Sequence, residues 1–164
     1  MAPSSPLRPS RAWSGASCSV KVPLMNIWDD DWGEQPEDWS GGGGRSKRLV
    51  GRGAFLGASL YELERGNFMI YHGHHGSEEL LVVLRGQPTL RTPNGERRLE
   101  QGEVVHFPTG PEGAHGIRND TDETVRYIMA GTRVSPEIVE YPDLKQVTGQ
   151  SKHGIFFIHD VEKD

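Results

Sequence analysis

The chain has 164 residues, a formal net charge of −5 at pH 7 and a single cysteine. This length suits one domain with a substantial core and is short for two. The acidic charge and the scattered basic residues argue against a nucleic-acid-binding surface, and no apolar run reaches the ~18 residues that span a membrane. Because Cys18 has no second cysteine to pair with, an intrachain disulfide is excluded and a reducing cytoplasm is the expected location.

Residues 1–45 are predicted to form a leader that precedes the folded domain. Residues 1–24 are rich in Ser, Pro and Ala, and they lack the continuous apolar centre of a signal peptide. Their composition is compatible with a transit peptide, but we favour a natural start at Met25, with the upstream residues an extension of the reading frame or a disordered tail. Three tryptophans (Trp28, Trp32 and Trp39) then lie among acidic residues, and four glycines form a flexible joint. Since tryptophans are rarely left in water, this arm is predicted to dock on the domain or on a partner subunit, the alternative being a disordered acidic leader.

Short apolar runs at a spacing of about 8–12 residues predict an all-β domain over residues 46–142. The predicted strands are 54–63, 67–72, 80–84, 88–92, 97–99, 104–107, 115–118 and 125–131. We expect 80–84 to pair with 88–92 across a turn, and Asn94-Gly95 to close a second hairpin because it supplies positive φ readily. The predicted architecture is a double-sheet jelly-roll barrel. After Thr132 the chain is expected to wrap the outside of the barrel. Residues 143–164 form a predicted C-terminal extension, in which 155–158 adds an edge strand or packs between subunits.

Residues 71–86 concentrate side chains that can bind a metal ion. His72 and His74 are two residues apart, so along a strand their imidazoles share one face. Glu79 stands at the start of the next apolar run and can bring a carboxylate oxygen to the same point. The alternative for this stretch alone is a polar hairpin loop that contains a few histidines.

A second stretch, residues 102–119, changes that balance, because the two stretches together resemble the paired motifs of the cupin superfamily. The first family motif is glycine, five residues, His-x-His, three or four residues, Glu, six residues and glycine, and it is matched by Gly66, His72, His74, Glu79 and Gly86. The second is glycine, five residues, Pro-x-Gly, two residues, His, three residues and Asn, and it is matched by Gly102, Pro108, Gly110, His115 and Asn119. Four residues rather than two separate Gly110 from His115. This departure concerns the shape of the loop more than the ligand.

The resemblance implies a metal site, a cupin barrel and a homodimer built by sheet packing and exchanged terminal strands. The four ligand positions of the family are filled by His72, His74, Glu79 and His115. Mixed nitrogen and oxygen donors suit divalent Mn, Fe, Co, Ni, Cu or Zn. Four protein ligands on a six-coordinate ion leave two positions for water, a bidentate substrate or dioxygen.

The remaining polar residues near the motifs are expected to play other parts. His75 and Glu78 have the wrong strand parity for the site, His106 is expected in the core or at the rim, and Asn119 is expected to make a turn. An isomerase also needs a positioned acid or base. The plausible candidates in the sequence are Tyr61, Tyr71, Tyr127 and His106.

Two functions from different classes remain open at this point. The first is a metal-dependent enzyme that acts on a small polar metabolite, with a dioxygenase slightly ahead of a sugar isomerase. The second is a non-catalytic cupin that senses or sequesters a small ligand. One barrel supports many functions, so fold and motif do not decide between them.

Overall fold

The computed structural model describes residues 24–33, 35, 44–51, 55–151 and 153–158. Those residues form twelve β-strands and two short 3-10 helices, Pro111–Gly113 and Pro142–Leu144. The strands in chain order are β1 (Arg45–Arg48), β2 (Leu56–Leu63), β3 (Phe68–His74), β4 (Glu79–Arg85), β5 (Thr89–Thr92), β6 (Gly95–Arg98), β7 (Val104–Phe107), β8 (His115–Arg118), β9 (Val125–Thr132), β10 (Glu137–Tyr141), β11 (Gln146–Ser151) and β12 (Gly154–Ile158).

The strands form two antiparallel sheets that face each other. One sheet has the order β1-β2-β9-β4-β7, and the other has the order β12-β11-β10-β3-β8-β5-β6. Strands that follow each other in sequence are often in different sheets, as a jelly roll requires. The predicted all-β jelly-roll barrel is therefore confirmed.

The expected pairing of residues 80–84 with 88–92 is wrong. Strand β4 pairs with β7 and β9, whereas β5 pairs with β6 and β8 in the opposite sheet. The chain crosses between the sheets after Arg85, at Gly86, where φ is 76°. A Cβ on Gly86 would lie 3.0 Å from the carbonyl oxygen of Thr124, so the crossing is close-packed as well as sharply turned. A local turn signal looks the same whether the chain folds back or changes sheets.

The hydrophobic core lies between the two sheets and is built by strand alternation. In β4, Leu81 and Val83 point inward and are buried, whereas Leu80, the residue before Leu81, is 39% exposed. The buried cluster consists of Leu63, Leu81, Val83, Leu90, Leu99, Phe107, Ile117, Val125, Tyr127 and Met129. The second hairpin also forms as expected, with Thr92 opposite Gly95 across the β5–β6 turn.

The segment after residue 132 is part of the sheet rather than an external wrap. Strand β10 pairs with β3, and its Val139 lies opposite His74. Strands β11 and β12 extend the same sheet, so the edge-strand alternative for residues 155–158 is confirmed. The division of the chain at residues 45 and 142 stays a prediction.

The described part of the arm, residues 24–33 and 35, lies on the outer face of the five-stranded sheet. Trp32 is only 8% exposed, and its ring lies 4.5 Å from the guanidinium of Arg45 and 5.1 Å from that of Arg126. Both arginines form ion pairs with Glu62 of β2, and Arg126 also donates to the carbonyl oxygen of Ile27. Docking of the arm on the folded domain is therefore confirmed for Trp32.

Several expectations fall outside the described residues: the Ser-, Pro- and Ala-rich leader, Cys18, Trp39 and the glycines at 41–43. Among the residues that the structure does describe, no helix has the length and apolar character needed to cross a membrane.

Candidate metal centre

Four side chains from three strands converge at one side of the barrel. His72 and His74 lie on β3, and His115 is the first residue of β8, directly opposite His72. Glu79 begins β4 in the other sheet and faces them across the interior. Its Oε2 atom lies 3.3 Å from Nε2 of His115, 3.4 Å from Nε2 of His74 and 4.0 Å from Nε2 of His72. The ligand atoms of His72, His74 and Glu79 all lie within 4.8 Å of one another, as donor atoms around one cation would.

Backbone contacts fix the orientation of two of the imidazoles. Nδ1 of His72 lies 2.8 Å from the carbonyl oxygen of Ile70, and Nδ1 of His115 lies 2.9 Å from that of Gly113. Because a carbonyl oxygen only accepts, each Nδ1 carries a proton, and each Nε2 is the ring nitrogen that faces Glu79. Metal-bound histidines show this same anchoring of the second ring nitrogen.

The electrostatics of the cluster also suit a cation. Burial, and then the neighbouring His115, lower the pKa of His72 to about 4, so this ring is neutral at pH 7. Burial by itself would raise the pKa of Glu79, but the three imidazoles, His115 foremost, hold it below its usual value. Oε2 of Glu79 and Nε2 of His115 are buried and have no hydrogen-bond partner among the described residues. A neutral imidazole at His72 and an ionised carboxylate at Glu79 are forms that suit a divalent ion.

The core packs directly against this cluster. The ring of Phe107 stacks on His115 with a centroid distance of 3.7 Å and an interplanar angle of 11°, and His115 is only 1% exposed. Asn119 is buried away from the site. Its side-chain amide donates to the carbonyl oxygens of Leu63 and Glu123, which is the turn-making part that the sequence indicates.

A cavity of about 430 Å³ opens beside the cluster. His74 and Glu79 form part of its wall, and Tyr61 lies in the same wall. Burial, followed by the charge of Glu79, raises the pKa of Tyr61, so its phenol stays protonated at neutral pH. Tyr61 stacks on Tyr127 at 5.2 Å, and the hydroxyl of Tyr127 is buried in the core without a hydrogen-bond partner among the described residues.

The other candidate residues point elsewhere. His75 has its Nε2 3.3 Å from Glu140 of β10, and His106 has its Nε2 3.7 Å from Glu78 at the surface. The guanidinium carbon of Arg91 lies 4.0 Å from the centroid of the Tyr71 ring, on the outer side of the seven-stranded sheet.

Glu137 is a buried carboxylate in the cavity wall that the sequence did not indicate. It is 6% exposed and accepts hydrogen bonds from the backbone N–H of Gly76, at 2.9 Å, and from the hydroxyl of Ser77. These contacts hold the loop that leads into Glu79. The sequence carries no signal for this role, since Glu137 lies in a segment that was expected outside the barrel.

Comparison with known proteins agrees with this geometry. The family model described as "Cupin domain" matches residues 59–131, and no curated protein sequence matches the chain. The chain is similar to the structure of a sugar phosphate isomerase of the cupin superfamily from Silicibacter pomeroyi, with 29% identity and a TM-score of 0.67 over 71% of this chain and 76% of that one.

Two further structures extend the comparison. A candidate sugar phosphate isomerase from Acidithiobacillus ferrooxidans is 30% identical, with a TM-score of 0.65 over 71% of this chain and 76% of that one. A cupin 2 conserved barrel domain protein from Salinispora arenicola shares the fold, with 23% identity and a TM-score of 0.54 over 69% of this chain and 92% of that one. With its motifs, its two-sheet barrel and these relatives, the chain belongs to the cupin superfamily.

Proposed function

We propose that this cupin is a divalent-metal-dependent isomerase that acts on a small phosphorylated sugar. The observation that carries the proposal is the approach of three imidazole Nε2 atoms to one carboxylate oxygen beside an open cavity. The similarity to two structures named as sugar phosphate isomerases, one of them as a candidate, supports the choice of reaction.

His72, His74, Glu79 and His115 would hold the ion. Their nitrogen and oxygen donors suit Mn, Fe, Co, Ni, Cu or Zn, and the donor types do not choose among these metals. A bound divalent ion would supply Lewis-acid polarisation of a sugar carbonyl or hydroxyl oxygen.

The chain itself supplies a group for proton transfer in the cavity wall. Of the four residues considered from the sequence, Tyr71 and His106 face the outside and Tyr127 lies in the core, so Tyr61 is the one that lines the cavity. Its phenol, protonated at neutral pH, can donate a hydrogen bond to an oxygen of the substrate. Glu137 is a positioning residue, because its hydrogen bonds to Gly76 and Ser77 hold the loop that leads to the start of β4.

Two alternatives stay distinguishable from this proposal. The sequence alone places a dioxygenase slightly ahead of a sugar isomerase, and the similarity to the isomerase structures reverses that order. A dioxygenase would consume oxygen with its substrate. A non-catalytic binding cupin would show neither oxygen uptake nor turnover and would keep its ligand unchanged.

The test begins with protein purified without chelator. We expect about one equivalent of a divalent transition metal by mass spectrometry, and interconversion of an aldose phosphate and its ketose in a panel of sugar phosphates. His74→Ala should lose most of the metal and the activity and remain folded. His75→Ala is the matched control, since the neighbouring ring contacts Glu140 instead of the cluster. Full metal content in the His74→Ala protein would show that the site is assigned wrongly.

The homodimer also remains a proposal. Strand β12 is an edge strand whose Ile155, Phe156, Phe157 and Ile158 are 56–64% exposed. Exposed apolar edge strands are unfavourable in a monomer, and pairing with a second copy would cover this one. A cytoplasmic location likewise stays a prediction.

A further inference from the structure

Two arginines at the cavity have no carboxylate partner among the described residues, unlike most of the arginines that the structure describes. Within the described chain, the paired arginines are Arg45, Arg65, Arg85, Arg91, Arg97, Arg118 and Arg126. In the same part of the chain, no ion pair is formed by Arg48, Arg98 or Arg133. Arg48 and Arg133 both line the cavity beside the metal cluster. We propose that Arg48 and Arg133 form a subsite of this cavity that binds the phosphate group of the substrate.

The sheet register places Arg48 on the same face as the metal cluster. A row of cross-strand partners runs from Leu81 on β4 through Met129 and Ser59 to Arg48 on β1. Cross-strand partners share a face, and Glu79 shares the face of Leu81 because it lies two residues earlier. At ~4.8 Å between neighbouring strands, the Cα atoms of Leu81 and Arg48 are about 14 Å apart. This places the metal cluster and the guanidinium group of Arg48 at opposite sides of the cavity, with room between them for a small sugar.

Glycines without side chains line the cavity between Glu79 and Arg133. Gly131 pairs with both Glu79 and Gly57. A Cβ on Gly131 would lie 2.9 Å from Cγ of Glu79, and a Cβ on Gly57 would lie 2.8 Å from Nε of Arg133. The guanidinium of Arg133 therefore lies across Gly57, and its backbone N–H is fixed by a hydrogen bond to the carbonyl oxygen of Phe55. Any larger residue at position 57 would displace this side chain.

The charge of the cavity favours an anion at the two arginines. The cavity wall contains two carboxylates, Glu79 and Glu137. Glu79 faces the imidazoles, and Glu137 accepts hydrogen bonds from Gly76 and Ser77, so neither forms an ion pair with Arg48 or Arg133. Two guanidinium groups offer forked donors that match the oxygens of a phosphate. A sugar without a phosphate would leave both cations without a counter-charge.

The assignment of a phosphorylated sugar to this subsite rests on the proposed function, but the subsite can be tested without turnover. Inorganic phosphate is titrated into the full-length, metal-loaded protein by calorimetry at low ionic strength, where such pairs are least screened. We expect binding that weakens about tenfold for each of Arg48→Met and Arg133→Met. Arg98→Met is the matched control, because Arg98 also lacks an ion pair among the described residues but lies on β6, outside this cavity. The control should bind phosphate as the unmodified protein does.

Further variants distinguish binding by the arginines from misfolding and from binding through the metal ion. Arg48→Lys and Arg133→Lys keep the charge and should retain part of the affinity, which shows that loss in the Met variants is not misfolding. His74→Ala should still bind phosphate, whereas binding through the metal ion would disappear with it. The proposal is overturned if the unmodified protein binds no phosphate at millimolar concentration, if the double Met variant binds it unchanged, or if His74→Ala abolishes binding. Arginine-dependent phosphate binding without isomerisation of any sugar phosphate would instead contradict the proposed function and leave the subsite standing.

Discussion

Gly113 offers a sharp test of how the loop before β8 places His115. This loop is longer than the family motif by two residues, and the extra length forms the 3-10 helix Pro111–Gly113. A Cβ on Gly113 would lie 1.7 Å from the carbonyl oxygen of Pro108. The carbonyl oxygen of Gly113 in turn accepts the Nδ1 proton of His115. Gly113→Ala is therefore expected to disturb the loop and the orientation of His115 together.

The size of the effect follows from these distances. Ordinary Cβ contacts begin at 3.4 Å, so the backbone at Gly113 and the carbonyl of Pro108 must separate by about 1.7 Å, the difference between the two distances. No side-chain rotation can relieve a contact with a main-chain oxygen. Overpacking of this kind costs about 1–3 kcal/mol in the free energy of unfolding, and each kcal/mol lowers Tm by roughly 2–4 °C in a domain of this size. Loss of the hydrogen bond that orients His115 should weaken metal binding about 10–100-fold.

The assay combines thermal unfolding of the metal-free protein with a metal titration. Gly149→Ala on β11 is the matched control, because a Cβ there meets nothing within 4 Å. We expect the control to keep both the Tm and the metal affinity of the unmodified protein. A Gly113→Ala protein with unchanged Tm and unchanged metal affinity would refute the described packing of this loop and its part in holding His115.

Three further outcomes are expected from other parts of the molecule. Trp32→Ala should lower the free energy of unfolding by about 2–4 kcal/mol, because it removes a buried ring between two guanidinium groups. Trp28→Ala should lower it much less, since Trp28 is 52% exposed. Equal losses for the two variants in chemical denaturation would contradict the docking. If β12 pairs with a second copy, Phe156→Asp should convert a dimer to a monomer in light scattering, and a monomeric unmodified protein at micromolar concentration would contradict the pairing. The hydrogen bond from Arg91 holds the pKa of Asp143 below its ordinary value of 3.8, so this pair stabilises the fold above that pH and its contribution is lost as the pH falls through the lowered pKa. Asp143→Asn should remove that pH dependence, an effect under about 1 kcal/mol for so exposed a pair, and an NMR titration of Asp143 with an ordinary pKa would contradict it.

The sequence by itself carries the local part of this structure. Strand alternation alone predicts that His72 and His74 share a face, and the resemblance to the two cupin motifs implies that Glu79 and His115 join the same predicted ligand set. Strand periods and the Asn94-Gly95 turn predict the all-β class and most strand positions, because these depend on neighbours a few residues away. A local pattern of this kind does not predict which distant strands pair with each other.

Barrel closure decided the rest. It moved β5 to the opposite sheet from β4, since a turn at Gly86 reads the same in both topologies. The pairing of β10 with β3 places Glu137 in the cavity wall. The closed barrel also directs Tyr61 into the cavity, whereas Tyr71 and His106 face outward. The arginines at 48 and 133 are far apart in sequence and look like ordinary solvated charges. The register of four strands places Arg48 on the face of Glu79, and the contact of Arg133 with Gly57 brings it to the same cavity. Contacts of such long sequence separation are set by the packing of the whole sheet, which is why only the tertiary structure shows them.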